Sequence, residues 1–429
     1  MNRAELLLPA GNIEKMQYAI AYGADAVYLG IVDFSLRSMK SGNVITLENI
    51  KDAIDTAHNM GVKAYVTVNI FAQNNDIEKL PPLIEILSDA KPDGIIFGDP
   101  GFYSILKKKL PDIPLHVSTQ ANTLNYEAVK FWQDLGITRV ILARELALRE
   151  IEEIANKVPG MELEVLVHGS MCVAYSGRCL LSDYMTDNKR KSNQGGCVQP
   201  CRWKYHLVEE KRPGQYYEIT EDEKGTYILN PKDQALIGHI SDLINAGVCS
   251  FKVEGRTKSL YYASVVAKAY RQAIDAHYAG KPANTNELLY ELSKVGNRGF
   301  TTGFLIDKPD SSHYDYNVSK GIAGATFLGT IIGQENSNTY KVLARNQIKL
   351  GDFIEWITPT QQISAEITNI INSKNEAVQV ADTNDIIYLS LDEQYGKLEN
   401  WHWGIIRSKE GQDGIQAEPD LCCGARNGH

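Results

Sequence analysis

Residues 5–30, ELLLPAGNIEKMQYAIAYGADAVYLG, begin and end with short apolar runs that are separated by a stretch of mixed polar and apolar residues. The same alternation of apolar runs and amphipathic stretches continues to about Gly280. It is typical of successive strand and helix units around a parallel sheet, whose strands are apolar throughout because helices cover them. The pattern therefore predicts an α/β domain.

Eight apolar runs are predicted to be strands of this sheet: ELLLPAG (5–11), DAVYLG (25–30), KAYVTVNIF (63–71), DGIIFGD (93–99), PLHVSTQA (114–121), RVILAREL (139–146), LEVLVHG (163–169) and SFKVEG (250–255). Amphipathic stretches between them, such as 125–136 and 148–158, have the apolar spacing of helices. Eight such units predict a TIM-like (β/α) barrel over residues 1–285. The active face of such a barrel lies at the C-terminal ends of its strands.

A second domain is predicted after the barrel. Residues 286–320 are rich in Asn, Asp, Ser and Gly and are predicted to be a linker with a small helix. Short β-rich runs separated by turn residues occupy 321–408, which predicts a small C-terminal antiparallel β-barrel. Residues 409–429 are polar and are predicted to be a disordered tail.

The composition, 43% hydrophobic and 23% charged over 429 residues, excludes a mostly disordered or fibrous chain. The first residues lack the long apolar core of a signal peptide, and no run reaches the roughly 18 apolar residues of a membrane helix. We therefore expect a cytoplasmic protein with no membrane partner. The net charge of −9 argues against indiscriminate nucleic-acid binding, but it leaves room for a local basic face.

Four cysteines lie within 30 residues in a Cys-x6-Cys-x17-Cys-x3-Cys pattern: Cys172, Cys179, Cys197 and Cys201. They fall in a long insertion, residues 169–229, between the seventh and eighth predicted strands, and loops of that length are usually functional. Four thiolates suit a [4Fe-4S] cluster or a tetrahedral zinc ion. Only the second pair has the spacing of a zinc knuckle, which favours iron-sulfur, while unrelated buried thiols remain the alternative.

The other cysteines have simpler interpretations. Cys249 is predicted to be a packed strand thiol, and Cys422 and Cys423 to be inert thiols of the tail.

Polar residues at the predicted strand ends form the second group of candidates. A pair of guanidinium groups such as Arg144 and Arg256 suits a small dicarboxylate, because each can bind one carboxylate through two hydrogen bonds. The alternatives are that these charged residues pair with one another and that His168 is structural. The candidate substrate-binding residues are Asn69, Gln120, Asn122, Arg144, Glu145, Lys252 and Arg256, and the candidate catalytic residues are His168 and Glu254.

Basic residues also interleave with aromatic ones around the last cysteine pair. Such a mixture suits contacts with phosphates and stacking on an unpaired base, although charge runs are commonly only solvated surface. Lys107, Lys108 and Lys109, on a predicted barrel helix, are interpreted as solvated surface of that kind. The candidate RNA-binding residues are Lys189, Arg190, Lys191, Arg202, Trp203 and Lys204, with Tyr184 and Tyr205 nearby.

Several blocks, in a fixed order, resemble the collagenase-like "unassigned" (U-type) peptidase family, and within it the branch that hydroxylates tRNA uridine. The similarity covers Glu5 to about Arg407. The blocks are ELLLPAGNIEKMQYAIAYGADAVYLG (5–30), STQANTLNYEAVKFWQDLGITRVILARELALREIEEI (118–154), EVLVHGSMCVAYSGRCLLS (164–182), GGCVQPCRWKY (195–205), SFKVEGRTKS (250–259) and NRGFTTGFL (297–305).

The resemblance implies a prephenate-dependent, oxygen-independent hydroxylation of wobble uridine to 5-hydroxyuridine in tRNA, with a [4Fe-4S] cluster. It implies tRNA and prephenate as partners, together with cluster-assembly and electron-donor proteins. Some relatives place a cluster cysteine where Gln234 and Ala235 stand here, so Cys201 is expected as the fourth ligand. The rival functions are a collagenase-like peptidase and a non-catalytic, metal-stabilised RNA-binding protein.

Overall fold

A computed structural model describes residues 3–36, 44–172, 174–187, 189–202, 231–306 and 323–409, and the backbone of 221–222 and 225–226. Trp203, Lys204, Tyr205, the tail beyond residue 409 and its two cysteines lie outside the described residues. The chain forms two compact units, Met1–Thr285 with Phe300–Gly321 and Asn286–Gly299 with Ile322–His429. Residues 286–299, within the predicted linker, therefore group with the second unit.

The first unit alternates strands and helices from its beginning. Up to the insertion, its elements are β1 (Glu5–Ala10), α1 (Ile13–Ala21), β2 (Ala26–Gly30), α2 (Ile50–Asn59), β3 (Lys63–Val68), α3 (Asn74–Glu78), α4 (Leu80–Ala90), β4 (Gly94–Phe97), α5 (Pro100–Lys109), β5 (Leu115–Val117), α6 (Tyr126–Asp134), β6 (Arg139–Ile141), α7 (Leu148–Lys157) and β7 (Glu162–Ser170). The following elements of this unit are α8 (Leu181–Met185), β8 (Glu221–Asp222), β9 (Gly225–Thr226), β10 (Asp233–Ala235), α9 (Ile240–Asn245), β11 (Val248–Val253), α10 (Leu260–Tyr278) and β12 (Phe300–Thr301). Between α10 and β12 in sequence lies α11 (Thr285–Ser293), which groups with the second unit.

Eight parallel strands close into a barrel in the order β1-β2-β3-β4-β5-β6-β7-β11, because β11 pairs with both β7 and β1. These are the eight predicted strands, so the TIM-like barrel is confirmed. The sequence did not predict the extension beside β7, where β10 pairs antiparallel with it and β12 pairs with β10. β10 and β12 are only three and two residues long, too short for a recognisable hydrophobic pattern.

The barrel interior combines an apolar cluster with a chain of buried charges. Arg139 on β6 donates hydrogen bonds to the carboxylates of Glu5 on β1, at 2.6 Å, and of Glu164 on β7, at 3.2 Å. Lys252 on β11 donates to the other oxygen of Glu164 at 2.9 Å. Burial alone would raise the pKa of Glu164, but Lys252 and Arg139 lower it overall, so this fully buried carboxyl is ionised. Buried charges require such pairing, since isolation from water is costly.

The second unit is built mainly from short strands. They are β13 (Phe327–Gln334), β14 (Thr339–Ala344), β15 (Ile348–Lys349), β16 (Phe353–Ile357), β17 (Gln362–Glu366), β18 (Ile370–Asn372), β19 (Val380–Ala381), β20 (Ile386–Ser390) and β21 (Ile405–Ser408). Seven of them form an antiparallel sheet, β17-β16-β21-β13-β14-β20-β18, around a core that includes the buried Trp356. The predicted antiparallel C-terminal fold is confirmed. The sheet is a half-barrel, since no pairing among the described residues joins its edge strands.

Within this second unit, α11 contributes to a buried ion cluster. Arg407 is fully buried and donates to Glu355 at 2.6 Å and to Glu291 at 2.7 Å. Lys294 donates to Glu291 at 2.9 Å. Over the part of the chain that the structure describes, no helix has the length and apolar character that crossing a bilayer would require.

Candidate active site

A cavity of about 120 Å³ lies where the C-terminal ends of the barrel strands meet the insertion. We call its two sides the barrel wall and the insertion wall. The barrel wall is formed chiefly by Asn69, Gln120, Arg144, Lys252, Glu254 and Arg256. The insertion wall is formed chiefly by Cys172, Cys179, Cys197 and Cys201. The structure thus brings together ten of the residues that the sequence singled out, from two separate lines of reasoning.

Arg256 is a buried cation on the barrel wall, and its position depends on the absence of a side chain at Gly30. A Cβ atom added to Gly30 would lie 1.1 Å from Nη1 of Arg256, so the guanidinium occupies the space that any side chain at position 30 would need. Its Nη1 donates a hydrogen bond to the Thr67 hydroxyl at 3.4 Å. The guanidinium group of Arg256 therefore packs against the end of β2, in the space that Gly30 leaves open.

Arg144 and Glu254 form a second, looser charge pair on the same wall. Nη2 of Arg144 lies 4.0 Å from Oε2 of Glu254, and Nη1 donates to the Ser170 carbonyl at 3.2 Å. The Nε atom of Arg144 is buried and has no hydrogen-bond partner among the described atoms. A buried donor without a partner is costly, which makes Arg144 a good candidate for binding an anion.

Lys252 connects the barrel wall to the buried charges beneath it. Its ammonium group donates to Glu164 and lies 4.5 Å from the centre of the Tyr28 ring. The barrel wall carries an excess of positive charge. Its lining includes three cationic side chains, Arg144, Lys252 and Arg256, and one anionic side chain, Glu254.

Amide groups complete the barrel wall. Nδ2 of Asn69 donates to the Ser118 hydroxyl at 3.2 Å and to Oε1 of Gln120 at 3.3 Å. Ser118 also donates to Oε1 of Gln120. These side chains hold one another in place at the ends of β3 and β5.

On the insertion wall, backbone N–H groups point at two of the sulfur atoms. The N–H of Leu181 donates to Sγ of Cys179 at 3.3 Å, and that of Gln199 to Sγ of Cys197 at 3.4 Å. Such bonds stabilise a thiolate and tune a bound iron-sulfur centre. Burial raises the pKa of the Cys179 and Cys201 thiols, so a bound cation would be needed to hold them as thiolates at neutral pH.

The backbone of Cys179 is fixed by side chains from a neighbouring turn. Asn193 accepts a hydrogen bond from the Cys179 N–H at 3.3 Å and donates one to its carbonyl at 3.1 Å. The Ser192 hydroxyl lies within hydrogen-bonding distance of two acceptors, that carbonyl and Oδ2 of Asp183 at 2.7 Å, and can donate its one hydrogen to either. Asn193 is itself tied to the barrel, because its carbonyl accepts the Phe71 N–H at 3.0 Å.

The four thiols line one cavity, the arrangement that a shared metal centre needs. Two kinds of centre take four thiolates, and they place different demands on the sulfur positions. A tetrahedral zinc ion would need its four sulfurs about 2.3 Å from a common point. A [4Fe-4S] cluster instead spreads its four thiolates over four irons.

Three of the predicted substrate-binding and catalytic residues do not line this cavity: Asn122, Glu145 and His168. Asn122 has a left-handed backbone conformation, with φ of 60°, and its Oδ1 atom is buried without a partner among the described atoms. The Glu145 carboxylate instead accepts two hydrogen bonds from Ser176 of the insertion.

His168 is enclosed by aromatic rings behind the barrel wall. Tyr262, Tyr270 and Phe300 surround its imidazole, and the Tyr270 hydroxyl lies 3.3 Å from Nδ1. Burial, with a smaller contribution from Lys258, lowers the pKa of His168 to about 3. The imidazole is therefore neutral at physiological pH, and its surroundings match the structural interpretation left open above.

The predicted RNA-binding residues that the structure describes divide into two kinds. Lys189, Arg190 and Lys191 are exposed, and Tyr184 is 80% exposed, on the insertion that also bears the cysteines. Arg202 is half-buried and donates to Gln199 and to the Met171 carbonyl. The first group is available for RNA, whereas Arg202 holds the insertion together.

Sequence reasoning missed several residues that build this site: Tyr28, Thr67, Ser118, Glu164, Ser176, Ser192 and Asn193. Thr67 and Ser118 lie within or beside predicted strand ends, so the strand-end rule applied more broadly would have included them. Ser192 and Asn193 offer no such signal, since they act through contacts with a distant part of the insertion.

Comparison with known proteins agrees with the resemblance seen in the sequence. The model of peptidase family U32 matches residues 11–315, and that of the family U32 C-terminal domain matches residues 324–398. The chain is 41% identical over 425 residues to tRNA hydroxylation protein P of Escherichia coli strain K12, covering 89% of this chain and 92% of that protein.

Two further relatives have informative names. Identity to tRNA hydroxylation protein P of Haemophilus influenzae strain Rd is 38% over 423 residues, covering 88% of this chain and 91% of that protein. Identity to the 23S rRNA 5-hydroxycytidine C2501 synthase of Escherichia coli strain K12 is 34% over 343 residues, covering 78% of this chain and 49% of that protein. The chain therefore belongs to peptidase family U32, in the branch that contains the proteins named tRNA hydroxylation protein P.

Proposed function

We propose that this protein is an RNA-hydroxylating enzyme that converts wobble uridine in tRNA to 5-hydroxyuridine in the cytoplasm, without molecular oxygen. The names of its relatives support RNA hydroxylation, and the name of the ribosomal RNA enzyme supports position 5 of a pyrimidine. The single observation that carries the proposal is that four cysteines and three cationic side chains line the same cavity.

The cysteines are proposed to hold a [4Fe-4S] cluster, which supplies one-electron chemistry when bound. Their shared cavity and the two N–H groups aimed at sulfur support this assignment. The ligands would be Cys172, Cys179, Cys197 and Cys201. Gln234, where some relatives carry a cysteine, is buried on β10 and does not line the cavity.

The barrel wall is proposed to bind prephenate, a dicarboxylate, as co-substrate. Arg144 and Arg256 follow the C-terminal ends of β6 and β11 and line the same cavity, so each could bind one carboxylate of the same small molecule. Lys252 adds a third positive charge close to them, while Asn69 and Gln120 offer amide groups for its hydroxyl. Glu254 is the acidic group of this wall and would hold or release a proton next to the substrate.

The exposed face of the insertion is proposed to bind the tRNA. Lys189, Arg190 and Lys191 would contact phosphates, and Tyr184 would stack on an unpaired base, the mode in which single-stranded loops are recognised. A wobble uridine lies in such a loop, so it would reach the cavity without the opening of a duplex. The uridine would then lie between the two walls.

The peptidase interpretation has less support. No histidine is found among the residues that line the cavity within the described parts of the chain, so its serines have no adjacent imidazole base. A nucleophilic or metal-dependent peptidase would need such a base or an open metal site.

The proposal is tested in cells that lack their own tRNA 5-hydroxyuridine. Expression of the wild-type chain should restore 5-hydroxyuridine, measured by mass spectrometry of digested tRNA, and should fail in a host unable to make prephenate. A Cys172→Ala variant should restore none. Full restoration by that variant would contradict the cluster, and absence of the nucleoside with the wild type, together with peptide cleavage by the purified protein, would favour the peptidase.

A further inference from the structure

We propose that Glu145 is a positioning residue for the cluster loop, the segment 172–179 that joins the first two cysteines. It would act by clamping Ser176, which lies in the middle of that loop. The inference deepens the proposed function, because it rests on those cysteines being cluster ligands. The sequence places Glu145 at a strand end and predicts a substrate-binding role for it, so this contact follows from the structure alone.

Both carboxylate oxygens of Glu145 accept hydrogen bonds from Ser176. Oε1 accepts the backbone N–H of Ser176 at 2.5 Å, and Oε2 accepts its hydroxyl at 2.6 Å. These are short, charge-assisted bonds, the stronger kind of hydrogen bond. Because Glu145 does not line the cavity, its carboxylate serves the loop and leaves substrate to its neighbour Arg144.

Ser176 needs such a clamp because of its backbone conformation. It is buried, with φ of 43° and ψ of 37°, a left-handed conformation that is rare for residues other than glycine, asparagine and aspartate. Strained residues of this kind persist only when the surroundings fix them. Without the two bonds, Ser176 would relax towards ordinary backbone angles, and the chain on either side of it would change direction.

A second attachment holds the same loop at its other end. The guanidinium of Arg178 donates to the Gln120 carbonyl from Nε at 3.3 Å and from Nη2 at 3.2 Å. It also lies 5.4 Å from the centre of the Phe71 ring. Loss of the Glu145 clamp would therefore loosen the loop without detaching it, so the effect falls on the placement of Cys172 and Cys179.

The first test compares the rate at which an iron chelator removes the cluster under anaerobic conditions. Glu145→Ala and Ser176→Ala should lose the cluster faster than the wild type, by on the order of 10-fold for the first variant. The double variant should lose it no faster than Glu145→Ala, because the two residues act as one unit. Equal rates for the wild type and both single variants would overturn the clamp.

Glu150→Ala is the matched control. Glu150 also lies after β6 and also accepts a backbone N–H, that of Ala147 at 2.8 Å, but this bond caps α7, and none of the hydrogen bonds seen among the described residues joins Glu150 to the insertion. The control should release the cluster at the wild-type rate. Release as fast as in Glu145→Ala would assign the effect to a general loosening after β6 and would contradict the proposal.

The second test uses metal-free protein, so it does not depend on the cluster. Trypsin should cleave Glu145→Ala after Arg178 faster than the wild type, while the barrel unfolds at the same temperature in both. Unchanged cleavage would overturn the clamp. A wild-type protein that binds no iron while this cleavage result holds would reject the proposed cofactor and leave the clamp standing. If Glu145→Ala does not fold, Ser176→Ala, which loses only one bond, serves for both measurements.

Discussion

The barrel wall and the insertion wall face the same cavity but are held in place by different interactions. The barrel wall stands on paired strands and on buried charges, such as the Lys252 and Glu164 pair beneath it. The insertion wall stands on short helical turns and on side chains that bond to backbone, such as Asn193 to Cys179. The difference teaches that one half of the site is part of the fold, whereas the other half depends on a few local contacts.

This contrast agrees with the chemistry assigned to each wall. A rigid, positively charged wall suits the binding of a small anion, because little reorganisation is needed when the anion arrives. A wall of thiols must admit iron and sulfide and then close around them, and the metal itself adds stability once bound. We therefore expect changes to the barrel wall to affect global folding and changes to the insertion wall to affect local order.

The largest effect is expected from Glu164→Gln. It leaves Lys252 and Arg139 without the fully buried carboxylate that they share, which should cost about 3–5 kcal/mol in the free energy of unfolding measured with urea. Glu162→Gln is the matched control, because Glu162 also binds Arg139 but is 51% exposed, and it should cost less than about 1 kcal/mol. Equal losses in the two variants would mean that the buried charges do not support the barrel wall.

An acid dependence of stability is expected from His168. Its pKa of about 3 in the folded protein lies below the ordinary value of 6.5, so the unfolded chain binds the extra proton first as pH falls. The stability that the neutral ring contributes is complete above pH 6.5 and is lost as pH falls towards 3. Between pH 7 and pH 5 the loss should be about 2 kcal/mol. His168→Gln should lack this component in urea unfolding at the two values, and an identical pH dependence would contradict the burial argument.

A smaller and local effect is expected from Asn193→Ala on the insertion wall. Loss of its two bonds to the Cys179 backbone should leave the urea midpoint of the barrel unchanged. Amide hydrogen exchange in segment 174–187 should become on the order of 30-fold faster, since the two lost bonds together remove roughly 2 kcal/mol of local stability. Gln194→Ala, in the same turn, should have little effect, because the side-chain hydrogen bond that Gln194 makes among the described residues is a long one, 3.4 Å to Asp76. Global destabilisation by Asn193→Ala would contradict the expectation that changes to the insertion wall affect only local order.

The smallest effect is expected from the exposed charges of the insertion. Lys189→Ala with Lys191→Ala should weaken tRNA binding and reduce the slope of log K against log salt by about 1.4, roughly 0.7 for each lost phosphate contact. Lys107→Ala with Lys108→Ala, on α5 of the barrel, removes the same charge and should leave the slope unchanged. Equal slopes for the two double variants would contradict the proposal that Lys189 and Lys191 of the insertion contact the tRNA.

The two walls also differ in how much of them the sequence could predict. The residues of the barrel wall can be predicted by a rule. The strands are recognised by their apolar runs, and in a closed barrel their C-terminal ends lie on the same face. That rule found Asn69, Gln120, Arg144, Lys252, Glu254 and Arg256. Asn122, Glu145 and His168, which the same rule selected, do not line the cavity, since the rule indicates which end of a strand a residue occupies but not which way its side chain points.

The buried charges were missed for a related reason. Glu164 and Arg139 lie in predicted strands among apolar residues, and a charged residue there is more easily interpreted as facing outward. Alternation alone does not say which set of residues faces the barrel interior. Only the closure of the barrel brings Glu5, Arg139 and Glu164 together from three strands.

The insertion wall could be predicted only as a set of four spaced cysteines. Their spacing indicated a shared metal site, and all four do line one cavity. The residues that orient them, Ser176, Ser192 and Asn193, belong to irregular turns with no periodicity. Their partners lie far along the chain or in neighbouring turns, so no local sequence pattern predicts these contacts.

The most direct test of the account is iron and sulfide analysis of anaerobically purified protein. The wild type and Cys249→Ala should contain about four irons and four sulfides per chain, and the Cys197→Ala, Cys201→Ala double variant should contain none. Cys249 is a suitable control, because its thiol lies on β11, 3.5 Å from the Leu163 carbonyl, and does not line the cavity. Zinc or no metal in the wild type, or full iron in the double variant, would contradict the four-cysteine cluster.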